Sequence, residues 1–241
     1  MTPDEEKLLA NKRENLANKV DEYLGEPAPG AVAASPELRA SYSGRLSEHV
    51  IGLWERYGFA TFHNGLVTLT NPDNYAEQLH WWLSHSPLLD YDNYHVVARG
   101  PFGTWTVWSE RSCHQFRIRV PHGLFAVATD DLKAPAPDEL EELRKFDRFL
   151  IDHTQPPPTH PQAISTLDEE NESHTSFYND CVALHGPLTD PTQVFGFAPY
   201  LFMGGTLDAT TVEPVNEIVQ HELIREFIGA PAFKDISTYP G

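Results

Sequence analysis

Between Leu46 and Glu110 the apolar residues follow two periods. Leu46, Val50, Leu53, Trp54 and Tyr57 fall at helical spacing, which predicts a helix with one apolar face. Gly58 is its stop, since glycine takes the left-handed cap conformation without a Cβ penalty. Asn71-Pro72 opens a second helix, with Tyr75, Leu79, Trp82 and Leu83 on one face. Segments 66–70, 94–98, 104–109, 115–120 and 124–128 read as strands, and Pro121-His122-Gly123 turns the last two into a hairpin. The expected architecture is α+β, a mostly antiparallel sheet with both helices on one face. An aromatic stripe of this kind most simply packs a core, and the alternative is a partner-binding patch.

The flanks have their own patterns. Segment 8–24 predicts a helix with Leu9, Leu16, Val20 and Tyr23 on one face, ended by Gly25. It is expected either to pack on the body or to swing free, because 26–35 is rich in Pro, Ala and Gly and reads as a linker. Segment 137–151 predicts a helix with Leu140, Leu143, Phe146 and Leu150 inward, and Pro156-Pro157-Pro158 then enforces an extended stretch. A smaller α+β unit follows. It holds a short helix with Phe177, Cys181 and Leu184 inward, then a broken apolar strand over 194–203. Its final amphipathic helix has Val215, Ile218, Val219, Leu223 and Phe227 as the apolar face and Gly229 as the stop.

Charge narrows the function classes. Seventeen basic residues face 35 acidic ones, a formal charge of −18. Such a chain lacks the Lys and Arg that phosphates require, so direct nucleic-acid binding and anionic membranes are disfavoured. A basic protein partner would be attracted over long range. Segment 130–172 holds twelve acids against four bases. No apolar run is long enough to span a bilayer, and the acidic start lacks a signal region, so a cytoplasmic location is expected.

No motif carries chemistry. His221-Glu222-Leu223-Ile224-Arg225 begins like a zinc-protease helix, but Arg225 stands where the second ligand belongs. Cys113 and His114 adjoin a predicted strand, whose neighbouring residues point to opposite faces and so do not easily share a metal. Cys113 and Cys181 read as small buried hydrophobes, and the twelve histidines show no ligand spacing. Neither a phosphate-binding loop nor a serine elbow occurs. Arg99 is the most interesting single base, and in so acidic a chain it is expected to form a structural ion pair. No enzyme activity, cofactor or metal is expected.

Trp54-Glu55-Arg56-Tyr57-Gly58-Phe59, Asn71-Pro72-Asp73, and Arg99 followed by Phe102-Gly103 and Trp108 resemble the GAD-like domain of bacterial immunity proteins. Leu184-His185-Gly186-Pro187-Leu188, Val194-Phe195-Gly196-Phe197-Ala198-Pro199 and Met203-Gly204-Gly205 are similar to the C-terminal domain of immunity proteins against type VI secretion DNase effectors. The resemblance divides the chain into an N-terminal helix and linker (1–35), a GAD-like domain (36–130), an acidic helix with a Pro-rich connector (131–172) and an immunity-type domain (173–241). It implies a protein that binds and neutralises a cognate toxin, a DNase effector. Carboxylates would complement the toxin's basic cleft, and apolar residues would supply most of the affinity. The candidate partner-binding residues are Asp138, Glu139, Glu141, Glu142, Asp168, Glu169, Glu170 and Glu172. The alternatives are a hydrolase with a His/Asp site assembled from scattered residues and a protein-binding adaptor without a toxin.

Overall fold

Helix starts in this chain are set by short polar side chains that accept from free backbone N–H groups. Ser35 Oγ accepts from Leu38 N at 3.1 Å, Ser47 Oγ from His49 N at 3.3 Å and Asn71 Oδ1 from Asp73 N at 3.1 Å. The computed structural model describes residues 3–154 and 166–237. Pro156-Pro157-Pro158 lies outside the described residues. The helices are α1 (Pro3–Leu24), α2 (Pro36–Tyr42), α3 (Glu48–Tyr57), α4 (Ala76–Leu83), α5 (Thr129–Lys133), α6 (Glu139–Thr154), α7 (Thr166–His185) and α8 (Glu217–Ile228). The strands are β1 (Thr61–Phe62), β2 (Val67–Leu69), β3 (Tyr94–Arg99), β4 (Thr104–Ser109), β5 (Gln115–Arg119), β6 (Leu124–Val127), β7 (Gln193–Phe197), β8 (Val212–Asn216) and β9 (Ala232–Asp235).

The architecture is α+β, with a mixed, mostly antiparallel sheet covered by helices and a smaller α+β region after it. The larger sheet runs β1-β2-β3-β4-β5-β6-β9, antiparallel throughout except that β9 lies parallel to β6. The smaller is the β7-β8 hairpin. Its broken apolar stretch resolves into β7, a cis Ala198–Pro199 bond and a 3-10 turn over Leu201–Met203.

The two helices expected on one face lie on opposite faces. Val50, Leu53 and Trp54 of α3 share a cluster with Val97, Ala98 and Trp108. Leu79, Trp82 and Leu83 of α4 pack with Val96, Trp105 and Val107. Both faces of β3 and β4 are therefore dry, and all six residues of β3 are buried. A near-continuous apolar run is what such a two-sided position requires. Helix α1 is no free arm: Leu9, Leu16, Val20 and Leu24 are buried with Leu143, Phe146, Phe149 and Leu150 of α6. Gly58 does more than stop α3. Its φ is +64°, and a Cβ there would stand 2.3 Å from the Val32 carbonyl oxygen, where the linker crosses the helix end.

Two of the ties between the smaller region and the larger position the site. Phe102, in the β3–β4 turn, stacks on Phe177 of α7 at 5.2 Å, and the Tyr178 hydroxyl donates to the Asn64 carbonyl. In α7, Phe177 and Cys181 face inward as expected, whereas Leu184 is exposed. The second tie is the first turn of α8.

Candidate functional site

Most of the apolar face expected for helix α8 points outward, with Ile218 half-buried. Val219, Leu223 and Phe227 were expected to face the core, yet they are 60%, 44% and 60% exposed. Glu217, Gln220, His221 and Ile224 face inward instead. Val215 belongs to β8, and Asn216 caps the helix by accepting from Val219 N at 3.1 Å. The reason for the inversion is a set of polar partners waiting on the larger sheet.

Glu217 is the anchor. Its Oε1 accepts from Trp105 Nε1 at 2.8 Å, and its Oε2 accepts from the Tyr75 hydroxyl at 2.7 Å. Arg99 Nε stands 3.0 Å from Oε2, with side-chain exposures of 2% and 5% for the pair. Arg99 Nη2 also donates to the carbonyls of Pro191 and Gln193, at 2.7 and 2.9 Å. Both oxygens of the Glu217 carboxylate accept a hydrogen bond and the guanidinium stands against it, the condition under which a buried charge pair is tolerable, while Gln220 Nε2 and His221 Nδ1 beside it are buried without a hydrogen-bond partner. Burial, then the adjoining Glu217 carboxylate, raise the Tyr75 hydroxyl well above its ordinary pKa. The expectation of a structural ion pair at Arg99 holds, and its partner comes from the other end of the chain.

One turn along, His221 is 1% exposed. Its ring stacks on Trp105 at 5.1 Å and 24°, and its Nε2 accepts from Trp82 Nε1 at 2.7 Å. An accepting Nε2 carries no proton, so the neutral ring holds its hydrogen on Nδ1. Burial first, then nearby Arg225, push its pKa down to about 4. His221 is thus a core histidine held between two tryptophans, with its Nε2 already occupied. Among the described residues no three His, Cys, Asp or Glu side chains gather where they could hold a metal ion.

The outer side of α8 carries chemistry of another kind. The stripe of Val219, Leu223 and Phe227 runs beside Glu222 and exposed Glu226. Arg225 leans off this stripe, with its guanidinium over Trp81 at 5.4 Å and Nη1 3.7 Å from Glu77. Tyr200 lies 6.0 Å from Phe227 and stacks on Phe202 at 5.4 Å, so the 198–203 loop continues the apolar surface.

The acids singled out from the sequence are placed differently. Asp138 caps α6, its Oδ1 accepting from Glu141 N at 2.8 Å. Glu139 pairs with Arg13, and Glu141 pairs with Arg144 at 3.2 Å. Glu142 is half-buried. Asp168, Glu169, Glu170 and Glu172 belong to the first turns of α7, and their side chains lie outside the described residues. Beside α6, a cleft of about 230 Å³ is lined by Leu16, Val20, His49, Leu53 and Phe146, with Arg13 and Arg56 also lining it. Both arginines are engaged, with Glu139 and Asp21. Cys113 and Cys181 are buried and unbridged, and burial pushes both thiols up to about 11, far from a reactive thiolate.

Glu217 and the inward role of His221 were not found from sequence. A signal existed: Glu217, His221 and Ile224 repeat at helical spacing opposite the apolar stripe. A polar face is read as outward unless its partners are known.

Residues 15–122 match the GAD-like domain, and this part of the chain is a GAD-like domain. It takes in α1 from its middle, α2 to α4 and β1 to β5, and it contributes Tyr75, Trp82, Arg99 and Trp105 to the anchor. No curated protein matches the chain. Among solved structures, the crystal structure of Atu4351 from Agrobacterium tumefaciens is similar, with a TM-score of 0.64 at 14% sequence identity. The likeness covers 92% of this chain and 98% of that one. At such identity the fold is what the two share.

Proposed function

We propose that this chain, built on a GAD-like domain, is an immunity protein that binds a cationic toxin and neutralises it without catalysing a reaction. The observation that carries this reading is the use of its bases. Arg13, Lys19, Arg39, Arg45, Arg56, Arg99 and Arg144 each stand against a carboxylate of the same chain. With 35 acids to 17 bases, the surplus carboxylates set the outer field. A field of one sign speeds encounter with a partner of the other sign and repels acidic bystanders. Proteins that grip DNA carry the required positive cleft. The resemblance of the C-terminal motifs to immunity proteins against type VI secretion DNase effectors names the partner class. The buried anchor supports a binding role over a hydrolytic one, because its ionised groups are sealed and already paired.

The test is co-expression with the product of the adjacent open reading frame, in a catalytically inactive form for binding and an active form for protection. A complex that purifies intact, with association slowing steeply as salt rises, together with rescue of host DNA, is the expected result. Absence of both complex and rescue ends the reading.

A further inference from the structure

Amphipathic helices bury the apolar side because that removes hydrocarbon from water. Helix α8 buries Ile224 and half-buries Ile218 and Ile228, yet it leaves a second apolar stripe in water, and its orientation is fixed. Asn216 caps its start, Glu217 is held by Tyr75, Arg99 and Trp105, His221 by Trp82, and Gly229 ends it. Scattered exposed hydrophobics are ordinary on protein surfaces. Here three of them, Val219, Leu223 and Phe227, repeat along one face of a rigid helix. Among the described residues, no other helix displays exposed large hydrophobics at i, i+4 and i+8. Tyr200 extends the strip beside Phe227.

Resting on the immunity reading above, we infer that this outer face of α8 is the ridge that docks into an apolar groove edged by Lys or Arg on the cationic toxin. Charge selects the occupant. Glu222 and exposed Glu226 lie along one side of the strip; Arg225, the helix's one Lys or Arg, lies over Trp81 with Nη1 3.7 Å from both Glu77 and Glu222, so Glu226 carries the unneutralised charge beside the strip. A second copy of this chain would set the same acids against each other. A partner with bases beside an apolar groove meets both halves of the surface. The ridge is also preorganised, so docking does not require the helix to order itself.

The experiment uses the full chain and the inactive toxin of the co-expression test. Leu223→Asp with Phe227→Asp is expected to weaken binding at least tenfold, the loss typical of a central anchor. Because both side chains are exposed, the melting temperature should stay near the wild type's. Glu222→Gln with Glu226→Gln should slow association at low salt and converge with wild type at high salt. Val32→Asp, at an exposed valine elsewhere, is the control and should bind as wild type does. Hydroxyl-radical footprinting of the wild-type complex adds a readout free of mutation: Leu223 and Phe227 should lose reactivity on binding. A double variant that binds within twofold of wild type, with Leu223 and Phe227 equally reactive in the complex, overturns the ridge and leaves the immunity reading intact. Concentration-dependent dimers of the wild type that the double variant abolishes also overturn it, because the occupant is then a second copy. A wild-type chain that binds no toxin removes both readings.

Discussion

At the scale of single residues, the molecule depends on a carboxylate that has left water. Glu217 is tolerable only because Arg99, Tyr75 and Trp105 all reach it. Glu217→Gln keeps the shape and removes the charge, which strands a buried guanidinium. The expected loss is about 3 to 5 kcal/mol in urea unfolding, the range for breaking one side of a buried pair. His221 gives a pH signature. Its pKa is about 4 when folded and near 6.5 in an unperturbed chain. Between those values the unfolded chain binds a proton that the folded chain refuses. Stability therefore falls as pH drops from about 6.5 to about 4 and levels off below, by roughly 3 kcal/mol from this group. His221→Gln should shrink that slope without abolishing it, because burial also lowers His49, His95 and His114. An unchanged slope would mean that His221 is not neutral in the fold. Arg99 was legible in sequence because a lone base before Gly100-Pro101 in an acidic chain needs a partner. Which acid answers it was not, since Glu217 sits among other glutamates with no local mark.

At the scale of elements, caps and stops were legible and facing was not. Gly58, Asn71 and Gly229 act where their chemistry places them. The β5–β6 hairpin also falls where the alternation and the Pro121-His122-Gly123 turn put it. Strands β1, β8 and β9 escaped notice: β1 is two residues long, and β8 and β9 leave most of their residues exposed. Helix α8 shows the deeper failure: periodicity finds the apolar side of a helix but not what lies opposite it. The inversion has a direct check. Leu223→Ser should change stability by no more than about 0.5 kcal/mol, as exposed positions do. Ile224→Ala, at a fully buried neighbour, should cost about 2 to 4 kcal/mol. Equal costs, or the reverse order, would put the wrong side of the helix in the core.

At the scale of the whole molecule, the acidic surplus and the α+β class were evident from composition and pattern, whereas closure of the sheet was not. Strand β9 adds in parallel to β6, pairing Leu124 with Ala232 and Phe125 with Phe233, whose rings lie 5.2 Å apart. Asp235 then accepts from the Thr129 hydroxyl at 2.6 Å, which closes the start of α5. Removing residues 232–241 should lower the melting temperature and promote aggregation measured by light scattering, because the bared edge of β6 offers unpaired backbone to other chains. A truncated chain that melts as the full one does would show that β9 is dispensable.

That parallel strand also bears on how the protein is made. The edge it covers is translated before α6, α7, the small hairpin and α8, and it waits bare while they emerge. A nascent chain paused anywhere in that interval displays an open seam of amides and carbonyls, a natural handle for the chaperones that patrol the ribosome exit. Completion of β9 supplies the backbone partner for that edge from Leu124 to Val127.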